Sequence, residues 1–123
     1  MTAPRSLRGR TAYLAGLAAE AAVERLYAGR GCAIVARRWR GSRGEIDLVA
    51  RDGGTLVFVE VKAAGSRDRA AEALSPAQVA RLFGAAAEYL AREPAGQHTP
   101  ARFDVALVDG QGRIEILPNA LIG

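Results

Sequence analysis

The chain has 123 residues, half of them hydrophobic and about a quarter charged, with a net charge of +4 at pH 7. This length and balance are typical of one soluble domain with a single core. No apolar run approaches the roughly 20 residues that span a bilayer, and the single cysteine, Cys32, excludes an internal disulfide and a cysteine–histidine zinc cluster. We therefore expect a cytoplasmic protein with no membrane partner and no signal peptide.

The N-terminal part of the chain predicts a leader followed by a helix. Residues 1–10 are basic and show no periodicity, so we expect a flexible leader, with residues 11–123 forming the single domain. Residues 11–29 are rich in alanine and leucine and end close to two glycines, which is typical of a helix. Glu20 falls at helical spacing among apolar residues of this segment, so the helix would carry one acid on an otherwise apolar stripe.

The rest of the chain predicts strands and one further helix. In chain order these are a strand at residues 32–39, a turn at 41–44, strands at 45–51 and 55–63, a polar and mobile segment at 64–72, a helix from Ser75 towards Pro94, and strands at 103–108 and 113–117. Asp52-Gly53-Gly54 between two strands indicates a tight hairpin, and Ser75 before Pro76 is typical of a helix start. The order predicts an α/β fold with one mixed sheet flanked by helices.

The predicted hairpin carries an acid on each strand. If its loop is the two glycines, Asp47 lies opposite Glu60; if the loop is shifted back by one residue, Glu45 takes that position and Asp47 lies one diagonal step away. Because side chains alternate along a strand, both registers place Asp47, Glu60 and Lys62 on one face of the sheet.

Two carboxylates about 5 Å apart repel each other and need a compensating cation. Mg²⁺ fits this need because it prefers oxygen ligands and retains several waters, and Glu20 could supply a further oxygen. Lys62, the only lysine among seventeen basic residues, could position a water or neutralise charge at a phosphate. The alternative is a solvated sheet face on which Asp47 and Lys62 form a surface pair worth about 0–1 kcal/mol.

A basic cluster lies between the predicted first helix and the hairpin. Arg37, Arg38, Arg40 and Arg43 surround Trp39, in the half of the chain that is net positive. Arginines grouped around an aromatic residue are typical of a nucleic-acid contact, in which the guanidinium groups bind phosphates and the indole stacks on a base. The alternative is a solvated arginine-rich surface with Trp39 in the core, and charge alone does not decide between the two.

Two segments of the hairpin resemble a known family. Gly44–Ala50 (GEIDLVA) and Leu56–Lys62 (LVFVEVK) closely resemble the YraN family of small bacterial proteins. That family is similar to the PD-(D/E)XK nuclease superfamily, and nearest in pattern to archaeal Holliday-junction resolvases. The likeness extends over residues 11–120 and includes the Ser75-Pro76 helix start.

The resemblance implies a restriction-endonuclease-like fold and a Mg²⁺ or Mn²⁺ cofactor. It implies that Asp47 and Glu60 bind the metal, that Lys62 is the catalytic lysine, and that Glu20 is an additional acid carried by the first helix. The chain departs from the family pattern at Ala19, Arg38, Ala63-Ala64 and Gln78, where glycine, asparagine, a basic residue and lysine are common. We interpret these departures as changes at nucleic-acid contacts rather than at the metal site.

Three functions are consistent with these patterns. The first is a metal-dependent endonuclease acting on DNA, including branched or otherwise structured DNA, and the resolvase likeness favours a homodimer. The second is a nucleic-acid-binding module that keeps the nuclease fold without cutting. The third is a protein-interaction domain. Outside the site, we expect Asp104 to pair with a nearby arginine, Cys32 to be a small buried hydrophobe, and His98 to lie in a loop without a catalytic role.

Overall fold

The structure, a computed structural model, describes the backbone of residues 5–63 and 74–120 and the side chains of residues 15–63 and 74–120. Residues 1–4 of the predicted leader and the segment 64–72, for which we expect mobility, lie outside the described residues. The elements follow the predicted order of helix, three strands, helix and two strands. This order and the single mixed sheet confirm the predicted α/β fold.

Five strands form the sheet in sequence order. They are β1 (Ala33–Arg40), β2 (Glu45–Asp52), β3 (Thr55–Ala63), β4 (Ala101–Val108) and β5 (Ile114–Leu117). Strands β3 and β4 pair in parallel, and the other neighbours pair antiparallel. A parallel pair needs a long crossover connection, and helix α2 (Pro76–Leu90) lies within it, followed by a short 3₁₀ helix at Gly96–His98.

Helix α1 (Arg5–Gly29) begins earlier than the sequence predicts. Residues 5–10, which the periodicity assigns to the leader, form its first turns. The predicted start at residue 11 depended on regularly spaced apolar residues, and these are absent from residues 5–10. Helix formation itself needs only favourable residues, and the leucine and arginines of this segment are among the good helix formers.

The two helices cover opposite faces of the sheet. The α1 layer consists of Ala19, Val23 and Tyr27 packed on Leu48, Ala50, Val57, Val59, Ala106 and Val108, with Cys32 partly buried against it. The α2 layer consists of Leu82, Ala85 and Ala86 packed on Ile46, Val49, Leu56, Phe58 and Phe103. No helix in the described part of the chain is long and apolar enough to cross a membrane.

The hairpin loop and the start of α2 have the predicted local structure. Asp52 pairs with Thr55, so the loop consists of the two glycines, and Gly53 has a positive φ of 60° that glycine adopts without steric cost. Ser75 caps α2, because its side-chain hydroxyl oxygen accepts a hydrogen bond from the backbone N–H of Gln78 at 3.1 Å.

Trp39 and Asp104 both have structural roles. Trp39 packs in the α2 layer, edge-to-face on Tyr89 with 5.3 Å between ring centroids, which favours the core interpretation over base stacking. Asp104 is 1 % exposed and accepts hydrogen bonds from the Tyr27 hydroxyl at 2.7 Å and from Arg102 Nε at 3.2 Å. The predicted pairing of this acid with an arginine is therefore confirmed.

Candidate active site

Strands β2 and β3 separate at the two predicted acids. Their backbone pairing runs from the loop as far as Leu48 and Val59. The same register, continued by one residue, places Asp47 opposite Glu60, as the first of the two predicted registers requires. Here Asp47 Oδ2 accepts a hydrogen bond from the Val61 amide at 2.8 Å, so a carboxylate receives a main-chain donor of β3.

The regular alternation of side chains is interrupted at Asp47. Ile46 packs in the α2 layer, whereas Leu48, two residues further on, packs in the α1 layer. On β1, Arg38 lies opposite Asp47 between two regular pairs, and its φ of 48° is in the left-handed region that costs a non-glycine residue about 1–2 kcal/mol. The regular alternation that predicts a shared face is therefore interrupted in β2 at the residue that meets Glu60.

Asp47 and Glu60 form a hydrogen-bonded pair in which Glu60 is buried and Asp47 is half-buried. Glu60 is 6 % exposed, and burial, followed by the charge of Asp47, raises its pKa to about 8. Burial also raises the pKa of Asp47, but the Val61 amide and the hydrogen bond from Glu60 oppose that rise. The raised pKa of Glu60 favours its protonated form, in which Glu60 donates a hydrogen bond to Asp47.

Two polar side chains contact Glu60 from the other side. Lys62 Nζ lies 3.6 Å from Glu60 Oε1, so the predicted lysine is at the acid pair. Gln78 Nε2, from the first turn of α2, donates to the same Oε1 at 3.2 Å. We interpret Gln78 as a change at a nucleic-acid contact, and the structure places its side chain at the acid pair. Its position in the first turn of α2 was readable from the sequence, whereas the docking of that turn against Glu60 was not.

Glu20 lies beside the acid pair without touching it. Its carboxylate accepts a hydrogen bond from Arg38 Nε at 3.1 Å. With Asp47 it lines a cavity of about 200 Å³, and with Lys62 it lines a groove of about 700 Å³ along α1. Burial, and then the charge of Asp47, raise the pKa of Glu20, whereas Arg38 lowers it. The helix therefore brings a third acid to the edge of the site, held there by an arginine.

The acid pair fits a hard divalent cation. Within the described side chains, no three Asp, Glu, His or Cys residues come close enough together to hold a metal ion by themselves. Mg²⁺ is commonly bound through only one or two carboxylates, with waters and substrate oxygens completing its shell. Asp47 and Glu60 supply such a set, and Glu20, which Arg38 contacts through one oxygen, lies beside them.

The four predicted nucleic-acid-binding arginines differ in their partners. Three of them form ion pairs with glutamates: Arg37 with Glu24, Arg38 with Glu20 and Arg40 with Glu45, the last at 3.0 Å. Arg43, in the turn between β1 and β2, forms no side-chain ion pair with any described residue. The basic cluster seen in the sequence is therefore largely neutralised by acids of α1 and β2.

Comparison with known proteins identifies related chains. The model of the family described as uncharacterised protein family UPF0102 matches residues 19–108. A UPF0102 protein of Ruegeria pomeroyi is 60 % identical over 113 residues, which are 92 % of each chain. A UPF0102 protein of Cereibacter sphaeroides (strain ATCC 17025) is 54 % identical over 114 residues, covering 93 % of this chain and 97 % of the relative. These matches include the hairpin and both helices that surround the acid pair.

Proposed function

The chain belongs to the uncharacterised protein family UPF0102, and we propose that it is a Mg²⁺- or Mn²⁺-dependent endonuclease that hydrolyses phosphodiester bonds in DNA. The observation that carries this proposal is the pair of acids beside a lysine. The pKa of the buried Glu60 is raised to about 8 next to Asp47, and Lys62 Nζ lies 3.6 Å from Glu60 Oε1. Strongly raised carboxyl pKa values in such a position are typical of functional sites.

A comparison within the molecule supports a functional interpretation of the pair. Asp104 is also buried, but it accepts hydrogen bonds from Tyr27, Arg102 and the Asn119 amide. A buried carboxylate whose oxygens receive that many donors has its hydrogen-bonding capacity satisfied within the protein. Among the described side chains, Glu60 has a neutral amide, one lysine and a competing acid around it, so a bound cation would stabilise the pair.

The side chains would have distinct roles. Asp47 and Glu60 would hold the metal through oxygen atoms, and the ion, when bound, supplies Lewis-acid activation of water and charge stabilisation at the phosphate. Lys62 would place a compact positive charge beside the reacting phosphate, where it stabilises the developing negative charge. Because the metal replaces the proton on Glu60, its binding would release a proton and strengthen as the pH rises towards 8.

We further propose that the substrate is branched or otherwise structured DNA. We also propose that the chain forms a homodimer, which places one site on each of two DNA strands. Their support is the resemblance to junction resolvases in the segments that carry Asp47, Glu60 and Lys62.

One observation favours a second candidate, a nucleic-acid-binding module that does not cut. Glu20 is held by Arg38, so only two of the three predicted acids are in mutual contact among the described side chains. If Glu20 is indispensable for chemistry, the arrangement would bind nucleic acid without hydrolysing it.

The decisive test is cleavage of linear, single-stranded, flapped and four-way-junction DNA with Mg²⁺, Mn²⁺ or a chelator. Wild type and Lys62→Ala should be purified in parallel and compared. We expect metal-dependent cutting by wild type and a loss of at least 100-fold in Lys62→Ala, since removal of one charge-stabilising group costs about 10²–10³ in rate. Binding without cutting by wild type would favour the second candidate, and equal cutting by both preparations would indicate a contaminating nuclease.

A further inference from the structure

The turn between β1 and β2 is fixed to helix α2 by one carboxylate. Glu88 accepts hydrogen bonds from Ser42 Oγ at 2.6 Å, from the Ser42 amide at 2.9 Å and from the Arg43 amide at 3.1 Å. These donors lower the pKa of Glu88, the Ser42 hydroxyl having the largest effect. The turn is therefore held in one position on α2 although its residues are exposed.

Two glycines allow two arginine side chains to lie against this junction. A Cβ added to Gly84 of α2 would lie 2.6 Å from Arg43 Cδ and 3.0 Å from Arg43 Cβ. A Cβ added to Gly44 of the turn would lie 3.3 Å from both the Cβ and the carbonyl oxygen of Arg81. The stem of Arg43 thus packs on the helix, and the turn packs on the base of Arg81, so that the two arginines lie at one junction.

The charges of these two arginines are not neutralised by ion pairs. Arg43 and Arg81 are both exposed, and neither forms an ion pair with a described residue. The charge of Arg43 acts on Glu88, but both oxygens of Glu88 receive hydrogen bonds from the turn. This contrasts with Arg37 and Arg40, which pair with Glu24 and Glu45.

The junction is adjacent to the acid pair. Arg81 follows Gln78 by three residues on α2, so the two side chains are neighbours on the helix surface, and Gln78 contacts Glu60. In the turn, Gly44 directly precedes β2, the strand that carries Asp47. A strand of DNA with one phosphate at the acid pair would therefore bring its neighbouring phosphates towards the two arginines.

We propose that Arg43 and Arg81 form a binding site for the sugar–phosphate backbone of DNA next to the acid pair, and that Arg37 and Arg40 do not contact DNA. The proposal rests on the proposed function as far as the substrate is concerned, but it requires binding only and not cleavage. It adds Arg81 to the predicted contacts and removes Arg37 and Arg40 from them.

The experiment compares two double variants with the same loss of charge, Arg43→Gln with Arg81→Gln, and Arg37→Gln with Arg40→Gln. Glutamine keeps much of the arginine stem, and circular dichroism with thermal unfolding checks that both variants are folded. Binding of the full chain to a fluorescent four-way junction and to linear duplex DNA is measured in chelator, over a series of salt concentrations. The slope of the logarithm of affinity against the logarithm of salt counts phosphate contacts, because each contact releases counterions.

We expect the Arg43/Arg81 variant to lose about tenfold in affinity at moderate salt and to reduce the slope by roughly 2, whereas the Arg37/Arg40 variant keeps the wild-type slope. Equal slopes in both variants, a larger change in the Arg37/Arg40 variant, or absence of DNA binding by wild type would overturn the proposal. A reduced slope in the Arg43/Arg81 variant without cleavage under any metal would contradict the nuclease function and leave this binding site supported.

Discussion

Replacing Glu60 by glutamine should make the metal-free protein more stable at alkaline pH. Burial and the charge of Asp47 raise the pKa of Glu60 from 4.5 to about 8. Between these two pH values the unfolded chain loses the proton that the folded chain keeps, so stability falls as the pH rises and the full penalty is present above pH 8. The shift corresponds to roughly 3–5 kcal/mol. Glutamine resembles the protonated acid, since its amide can donate to Asp47 and its oxygen can accept from Gln78.

The assay is urea unfolding of wild type and Glu60→Gln at about pH 5 and pH 9 in the presence of chelator. We expect the two proteins to be similar at the lower pH and the variant to be more stable by about 3 kcal/mol at the higher pH. Glu24→Gln, a change of the same charge at a partly exposed position, controls for net charge. Added Mg²⁺ should stabilise wild type at pH 9 more than Glu60→Gln. A stability difference between wild type and Glu60→Gln that is independent of pH would refute the raised pKa of Glu60 in the folded protein.

Three further substitutions test the surroundings of the pair. Gln78→Ala should weaken Mn²⁺ binding about tenfold in calorimetry with little change in melting temperature, because Gln78 orients an oxygen of Glu60. An unchanged affinity for Mn²⁺ would contradict this role. Arg38→Val should destabilise the fold by about 1–3 kcal/mol in urea unfolding, because a β-branched residue rarely adopts a φ of 48°. Arg38→Asn should destabilise it less, since asparagine tolerates this conformation better. If Arg38→Asn were the more destabilising of the two, backbone strain would be excluded as the cause. Tyr27→Phe should cost about 1–3 kcal/mol by removing a donor from buried Asp104, and a neutral effect would show that Asp104 finds another partner.

Local features of the sequence predicted the fold and the position of the acids. Asp52-Gly53-Gly54 predicts the hairpin and leaves two possible loops. In the structure the two glycines form the loop, which brings Asp47 opposite Glu60. The Ser75-Pro76 start of α2 is likewise a matter of neighbouring residues. Such features need no information about the rest of the chain, which explains why the order and most bounds of the elements could be read in advance.

Contacts between distant elements could not be read in the same way. The approach of Gln78 to Glu60 depends on how α2 docks on the sheet after the crossover, and the pairing of Arg38 with Glu20 depends on the rotation of α1. A cluster of arginines in sequence likewise does not reveal which of them face acids. Arg81, nearly forty residues away from Arg43, joins it only through the packing of the turn on α2.

We propose that the acid pair is the centre of a metal-dependent nuclease. The most direct test of this proposal is the single-turnover rate of DNA cleavage in Mn²⁺ for wild type and Glu60→Gln, because this variant is expected to keep the fold while removing one metal-binding carboxylate. We expect wild type to cut DNA in Mn²⁺ and to stop cutting when chelator is added. The rate for Glu60→Gln should be at least about 100-fold lower, with both proteins folded. Equal rates in the two proteins, or no cutting by a wild type that binds both Mn²⁺ and DNA, would contradict the proposal.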